Sequence, residues 1–341
     1  MKKLCHYGVR GVANKWFKSY LSCRKQFVQI NQNRSGNVFD IIHGVPQGSI
    51  LGPVLFSLYI NDFWRCLSYG KAVMFAYDTT LIFKDKSVKS LSEKANFDLV
   101  SAADWLAENK LSLNILKTKC MIFNLSKKDR QNYEIEINRN CLEKFKKQKF
   151  SGVLFDDKMS WKDHINYVIT KLNSCLGATR RARPFLNTSS LLTIYHSLMQ
   201  SRANYCCTTW AAWEPRGNKV VLQRLQAICN KFFRLIFNLE HTDSVRHLLK
   251  SHNILNIFQN YDFQVGQLMH KAIHGELPLP LQGNLTINNP FFFFKPSCIK
   301  QTQKSVSYAG PKIWSNLPAN QIEESDFKKY KLSLKKYILN K

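Results

Sequence analysis

The feature that most constrains the fold is a change of hydrophobic period near Trp161. Before it, apolar residues come in short runs at 27–31, 38–42, 72–76, 79–83, 119–124 and across 133–154, broken by Gly, Pro and polar residues. Such runs predict strands. From Trp161 the period turns helical. Trp161, Ile165, Val168, Leu172 and Cys175 share one face; Leu191, Tyr195, Leu198 and Arg202 follow an Asn187-Thr188-Ser189 cap; Leu222, Leu225, Ile228, Phe232 and Leu235 form a third stripe. Gly275 and Pro278 close a later helical stretch. Helices are also predicted early: around Val12, Trp16, Phe17 and Tyr20, over about 50–67 with Pro53 in the first turn, and along Val88, Leu91, Ala95, Ala102 and Leu106. Tyr77-Asp78 reads as the tight turn of a hairpin, although that pair is not a favoured one. The expectation is an α+β unit, a helical unit and an irregular basic tail.

The charge balance narrows function. Fifty Lys plus Arg face 23 Asp plus Glu, a formal +27, and the basic residues are spread along the chain. A merely solvated surface would carry more balanced signs. This imbalance favours a folded basic surface that meets a polyphosphate backbone. The ten cysteines, at 5, 23, 66, 120, 141, 175, 206, 207, 229 and 298, include no C-x-x-C pair. A zinc site therefore has no local framework, and reduced intracellular thiols are the simplest reading. The opening Met1-Lys2-Lys3-Leu4-Cys5 imitates a signal peptide, but His6, Tyr7 and Arg10 interrupt it, and no apolar run reaches the length of a membrane span. The expected location is the nucleus or cytoplasm, with no membrane partner. The phenylalanines at 291–294 sit between Pro290 and Lys295-Pro296 and read as a strand or an aggregation hazard.

Several blocks carry a family likeness. The run GVPQGSILGPVLFSLYINDF at 44–63 resembles a signature block of non-LTR reverse transcriptases. FAYDTT at 75–80 falls where that family carries Phe/Tyr-Ala-Asp-Asp. Trp105, Asn109, Leu111, Asn114, Lys117 and Thr118 are similar to its W…N-x-L-x-L-N-x-x-K-T pattern. FSGVLFDDKMSWKDHI at 150–165, YAGPKIWSNLP at 308–318 and HYGVRG at 6–11 resemble further family segments in the expected order, the 308–318 run being like the close of jockey-like reading frames. The resemblance implies a partial right-hand polymerase lacking fingers. The palm would occupy 1–125, a β-rich connection 126–158, a helical thumb-like region 159–278 and a basic tail 279–341. The fingers, the first palm strands and any endonuclease would precede Met1.

The implied reaction is RNA-templated DNA synthesis. A primer 3′-hydroxyl attacks a nucleotide α-phosphate between two Mg²⁺ ions, which take oxygen ligands, chiefly carboxylates. The family supplies three Asp, one in the first palm motif and two in the hairpin. By the resemblance the first lies ahead of this chain, and Tyr77 stands where the second would be. Asp78 is then the one catalytic and metal-binding carboxylate. Tyrosine is neutral at pH 7 and offers no substitute, so activity and Mg²⁺ binding are expected to be impaired. Asp62 reads as a structural helix residue and Asp85 as a surface one.

Gln47 and Gly48 match the loop that contacts incoming nucleotide and template, and Lys117 matches a lysine near the triphosphate. Gly allows close backbone approach and Gln offers donor and acceptor. A turn and cap before a buried helix would also explain Gly44, Pro46 and Gly48, and a lone Lys in a basic chain is commonly just surface. In the thumb region Arg180, Arg181, Arg183, Arg224 and Lys231 are candidates to track phosphates. Trp210, Trp213, Phe232 and Phe233 sit at helical spacing and read as core rather than as stacking platforms. His270 and His274, four apart, lack a third ligand nearby. RNA, DNA and their hybrid, with deoxynucleoside triphosphates, are the implied partners. The alternative is a catalytically dead RNA or hybrid binder, or a transposon relic with no function.

Overall fold

The short apolar runs pair only with near neighbours. The computed structural model describes residues 1–42, 44–46, 48–123, 133–212, 219–278 and 305–341, and the backbone alone at 287–288 and 291–292. It divides into two compact units, Met1–Cys120 with Asn124–Phe145, and Met121–Phe123 with Lys146–Lys341.

Unit 1 begins with helices α1 (Lys2–His6) and α2 (Gly11–Leu21). Strand β1 (Arg24–Gln26) pairs with β4 (Phe39–Ile41) around the hairpin β2 (Gln29–Ile30) and β3 (Asn33–Arg34). Helix α3 (Leu51–Ile60) and a 3-10 turn Phe63–Cys66 precede the hairpin β5 (Lys71–Phe75) and β6 (Asp78–Ile82). Helix α4 (Val88–Glu108), capped by Ser87 Oγ, is followed by a 3-10 turn Ile115–Lys117. Strand β7 (Lys119–Cys120) pairs in parallel with β10 (Glu143–Lys144), and β8 (Glu136–Ile137) pairs with β9 (Asn140–Cys141). The apolar helix expected over about 50–67 is therefore α3 plus a tighter turn, and the strand expected over 119–124 shrinks to two residues.

Among the described residues every sheet is two-stranded. A lone hairpin is marginal in water and must lean on other elements. Here α4 supplies the support. Its residues Ala95, Leu99 and Ala103 meet Ile135, Ile137 and Leu142, while Ala102 joins Ile60 and Phe63 with Ala72, Met74 and Leu81 of the hairpin against them. These clusters are small. Much apolar surface of unit 1 stays open to solvent, including Val12, Trp16, Ile50, Val73, Phe75 and Ile82. The amphipathic α2 forms as expected, yet none of its residues is buried.

Unit 2 is built differently. The hairpin β11 (Lys147–Phe150) and β12 (Val153–Asp156) leads to α5 (Lys162–Ala182). Then come α6 (Thr188–Ile194), capped by Asn187, a π-turn Tyr195–Gln200, α7 (Ser201–Asn204), α8 (Cys207–Trp210), α9 (Lys219–Phe237), α10 (Arg246–Ser251) and α11 (Ile257–Ile273). Short strands β13 (Ile287–Asn288) and β14 (Phe291–Phe292) pair, placing the start of the phenylalanine run in a strand. The tail read from sequence as irregular is helical from Val306: α12 (Val306–Ser315), α13 (Ala319–Ile322) and α14 (Phe327–Asn340).

The physical reason for that difference is a shared core. Trp314 of α12 and Tyr330 and Leu334 of α14 are buried with Val265 and Met269 of α11. Two glycines permit the approach. A Cβ on Gly266 would meet Leu334 Cδ2 at 2.8 Å, and one on Gly310 would meet Met269 Sδ at 2.4 Å. Tyr330 Oη donates to the Gly266 carbonyl at 3.0 Å. Among the described residues eleven apolar side chains are buried in unit 1 and thirty-eight in unit 2, so the second unit holds most of the hydrophobic stabilisation.

The turn into α5 rests on Asp156, whose buried carboxylate accepts from the backbone N–H of Lys158, Ser160 and Trp161 at 2.9–3.1 Å. Trp161 adopts φ +63° there. His164 Nδ1 accepts from the Leu154 N–H at 3.2 Å, so its proton sits on Nε2, which is buried with no partner among the described residues. Burial, with Lys149 adding a smaller effect, holds this imidazole down to about 4. Burial likewise lowers His270, whose Nε2 donates to the Glu324 carbonyl at 2.9 Å. Both shifts favour the neutral ring in the fold. Their contribution is complete above the unfolded value near 6.5 and is lost as pH falls from there through the folded values. Urea unfolding of the chain is expected to lose about 2 kcal/mol between pH 7 and pH 4.5 from His164. A His164→Gln variant should flatten that slope, and equal slopes in the two proteins would contradict this account.

Candidate active site

The hairpin β5–β6 is fixed from below by a residue the sequence reading passed over. Asp98 lies on the apolar face of α4 among Ala95, Leu99 and Ala102, and is fully buried. Its carboxylate accepts from the N–H groups of Ser68, Tyr69 and Gly70 at 2.9, 2.9 and 2.6 Å, setting the entry to β5. An acidic residue within an apolar helical stripe was the available signal, because a buried carboxylate needs several donors.

The strands pair in register from Lys71 with Ile82 to Phe75 with Asp78. The turn is Ala76-Tyr77, one residue earlier than the Tyr77-Asp78 read from sequence. Ala76 takes φ +49°, so the tight turn uses an αL residue at its first central position. Asp78 thereby becomes the first residue of β6. It is exposed, and its side chain makes no ion pair or hydrogen bond among the described residues. Tyr77 is 71% exposed, with its ring 4.6 Å from Phe56 of α3.

Asp62 and Asp85 are engaged elsewhere. Asp62 Oδ1 pairs with Lys3 Nζ at 2.6 Å, and that ammonium also lies over the Trp105 ring at 4.6 Å. Asp85 pairs with Lys94 at 2.5 Å and accepts from Ser90 Oγ at 2.8 Å; these bonds hold its carboxyl well below the usual range. Among the described residues one group of three possible metal ligands forms, the exposed Glu134, Glu136 and Cys141, and Asp78 is not part of it. Two divalent ions held about 3.5–4 Å apart want several carboxylate oxygens between them. One carboxylate at Asp78 does not fit such a centre.

The loop ahead of α3 combines a cap with open space. Ser49 Oγ donates to the Pro46 carbonyl at 2.8 Å and accepts from the Gly52 N–H at 3.1 Å, a local cap of the kind expected before a helix. Gly48 takes φ +79°, and a Cβ there would meet nothing within 4 Å. Its glycine is thus required by backbone conformation, and the space beside it is free. Gln47 lies outside the described residues. Tyr77 against Phe56 places the hairpin turn beside the helix this loop feeds.

Lys117 ends the 3-10 turn that Asn114 caps by accepting from the Lys117 N–H at 3.1 Å. Ile115 of that turn packs on the cluster containing Leu81. The lysine is exposed, with no ion pair among the described residues. No bond links Lys117, Gly48 and Asp78 to one another. Trp105 packs edge-on against Phe63 at 5.2 Å, and Asn109 Nδ2 donates to the Trp105 carbonyl at 2.8 Å, so these motif residues build the scaffold.

In unit 2, α5 packs against α9. Arg180, Arg181, Arg224 and Lys231 are exposed on these two helices, with no carboxylate partner among the described residues. Arg183 differs: it is half-buried, and its Nε donates to the Leu235 carbonyl at 2.7 Å, which ties α9 to the end of α5. Trp210, Phe232 and Phe233 are fully buried and belong to the core; Trp213 lies outside the described residues. The His270 and His274 rings stand 4.3 Å apart with no third ligand in reach among the described residues. None of the nine described cysteines is in a disulfide, and burial pushes Cys207 and Cys229 up to about 12. No helix among the described residues is long and apolar enough to cross a membrane.

Known proteins resemble the chain over part of its length. Residues 1–171 match the family model described as reverse transcriptase (RNA-dependent DNA polymerase). The chain is 27% identical over 230 residues to the probable RNA-directed DNA polymerase from transposon X-element of Drosophila melanogaster, covering 65% of this chain and 25% of that protein. It is 27% identical over 178 residues to the RNA-directed DNA polymerase from mobile element jockey of Drosophila funebris, covering 48% and 19%. The Pol polyprotein from type-1 retrotransposable element R1 of Nasonia vitripennis is 26% identical over 144 residues, covering 40% and 43%. The chain thus spans a quarter or less of the first two relatives. With half its length matched and its relatives drawn from X-element, jockey and R1 elements, the chain belongs to the reverse transcriptase (RNA-dependent DNA polymerase) family, of the non-LTR, LINE-like kind.

Proposed function

We propose that this chain is a nucleic-acid-binding form of a non-LTR reverse transcriptase that holds RNA–DNA hybrid but does not add nucleotides. The observation that carries the reading is the hairpin, where Asp78 stands exposed and alone while Tyr77 rests on Phe56. Its family works with divalent metal ions, and here one carboxylate replaces the pair. Binding is supported by the unpaired cations of α5 and α9 and by the +27 charge. In this reading unit 1 corresponds to part of a palm and α5–α9 to a thumb. Gly48 and Lys117 flank the nucleotide path with Gln47, and Arg183 serves as a strut. Deoxynucleoside triphosphates are ligands of the ancestral reaction, with Mg²⁺ as its metal.

Metal binding tests the reading directly. Mn²⁺ titration followed by electron paramagnetic resonance is expected to show weak binding in the native chain, changed little by Asp78→Ala. Tyr77→Asp adds a second carboxylate to the donor set and should raise affinity by about tenfold. Two tightly held Mn²⁺ ions in the native chain, both lost in Asp78→Ala, would overturn it.

A further inference from the structure

Helix α2 forms without a core to hold it. It has eleven residues, and none of them is buried. With 3.6 residues per turn, Val12, Trp16 and Tyr20 recur every fourth residue and share one face. Lys15 and Lys18 fall outside that face. Val12 is 83% exposed and Trp16 52%, while Phe17 and Tyr20 are half-buried. The Trp16 and Tyr20 rings stack at 5.5 Å with planes 7° apart, and Phe17 stands edge-on to Trp16 at 5.0 Å. These contacts lie within the helix. They gather an aromatic surface without covering it. Contiguous exposed apolar surface of this kind marks an interaction site.

The charge around this face selects the partner. Residues 1–39 hold eight Lys and Arg and no Asp or Glu. Lys15 and Lys18 are exposed, with no ion pair among the described residues. The segment from β1 to β4 that follows exposes Phe27, Val28, Ile30 and Phe39 as well. A second copy of this chain would bring the same cations against these. A nucleic acid would meet the lysines and leave Val12 and Trp16 in water. A bilayer with anionic headgroups takes both at once. Its headgroup–acyl boundary accepts an indole and an aliphatic side chain, while lysine stems reach back to the phosphates.

We propose that α2 docks on an anionic lipid bilayer and lies in the plane of its surface. Val12 and Trp16 enter the boundary between headgroups and acyl chains, and Lys15 and Lys18 pair with headgroup phosphates. At about 1.5 Å per residue the helix is too short to cross a membrane, so it rests on one. The expected absence of a membrane partner rested on the lack of a spanning segment, which surface docking does not need. The proposal goes beyond the hybrid-binding reading and uses none of its residues.

Vesicle flotation of the full chain tests it, with phosphatidylcholine vesicles alone and with about 30% phosphatidylserine. The native chain is expected to float with the anionic vesicles and to stay behind with the neutral ones. Val12→Ser/Trp16→Ser should weaken binding to the anionic vesicles about thirtyfold. Lys15→Gln/Lys18→Gln should weaken it about tenfold. Val12 and Trp16 are exposed, so the first variant should melt where the native chain does. Should it melt early, hydrogen exchange of residues 12–21 in the native chain decides instead, and it is expected to slow when anionic vesicles are added. Lost flotation with unchanged affinity for RNA–DNA hybrid supports the proposal and leaves the hybrid-binding reading as it stands. The proposal is overturned if the native chain does not float, or if Val12→Ser/Trp16→Ser floats as the native chain does. It is also overturned if that variant loses hybrid binding, which makes α2 a nucleic-acid surface, or loses a dimer that the native chain forms, which makes it a contact between copies.

Discussion

Affinity for an RNA–DNA hybrid is expected to fall by about 100-fold between 50 and 200 mM salt. The figure follows from four exposed, unpaired cations, Arg180, Arg181, Arg224 and Lys231, on two mutually packed helices. Four phosphate contacts give a slope near −3.6 in log affinity against log salt, which over a fourfold change in salt is about two decades. Arg180→Gln/Arg181→Gln should lower the slope by about two and weaken binding to all sequences alike. Arg183→Gln should act on stability instead, because its guanidinium already serves the Leu235 carbonyl. Filter binding across that salt range checks each expectation. An affinity that is flat with salt, or a slope untouched by the double substitution, would show that hybrid contacts lie elsewhere.

The second large effect is on folding. Phe233→Ala should cost about 3–5 kcal/mol, measured as a drop in the urea midpoint at unchanged slope. Phe233 is fully buried, with Tyr195 at 4.6 Å and Phe237 at 6.4 Å, so truncation removes transfer free energy and leaves a cavity. Domains of this size are stable by about 5–15 kcal/mol, and the variant would lose a large part of that. Phe75→Ala in the hairpin should change stability by less than about 0.5 kcal/mol, because its ring is 72% exposed. A Phe233→Ala cost below about 1 kcal/mol would contradict the placement of the main core in unit 2.

How much of this was legible in the sequence depends on how local the signal was. The stripe from Trp161 to Cys175 and the Asn187 cap declared α5 and α6, because helical spacing and a capping side chain act within one turn. The hairpin was legible, but its turn was displaced by one residue. Ala carries no turn signature, and the αL geometry at Ala76 comes from strand pairing, not from residue preference. The helical tail was missed for a non-local reason. Trp314, Tyr330 and Leu334 find their partners on α11, and Gly266 and Gly310 make room for them, which no window around residue 310 reveals.

For the site, the sequence exposed the single carboxylate at Asp78 and its neighbour Tyr77, since substitution at a motif position is visible without coordinates. It did not show that Asp62 and Asp85 are held by Lys3 and Lys94, which removes both as replacements. It also did not show that Arg183 is a strut while Arg180 and Arg181 remain open. Those distinctions depend on which side of α5 faces α9.

The most direct test of the central claim is primer extension run beside binding on the same sample. The substrate is an RNA template with an annealed DNA primer and all four deoxynucleoside triphosphates, in Mg²⁺ and again in Mn²⁺. The account predicts that the chain retains the hybrid and adds no nucleotide in either metal. Extension by the native chain that disappears in Asp78→Ala would contradict it, because a hairpin with one carboxylate would then be running the two-metal reaction.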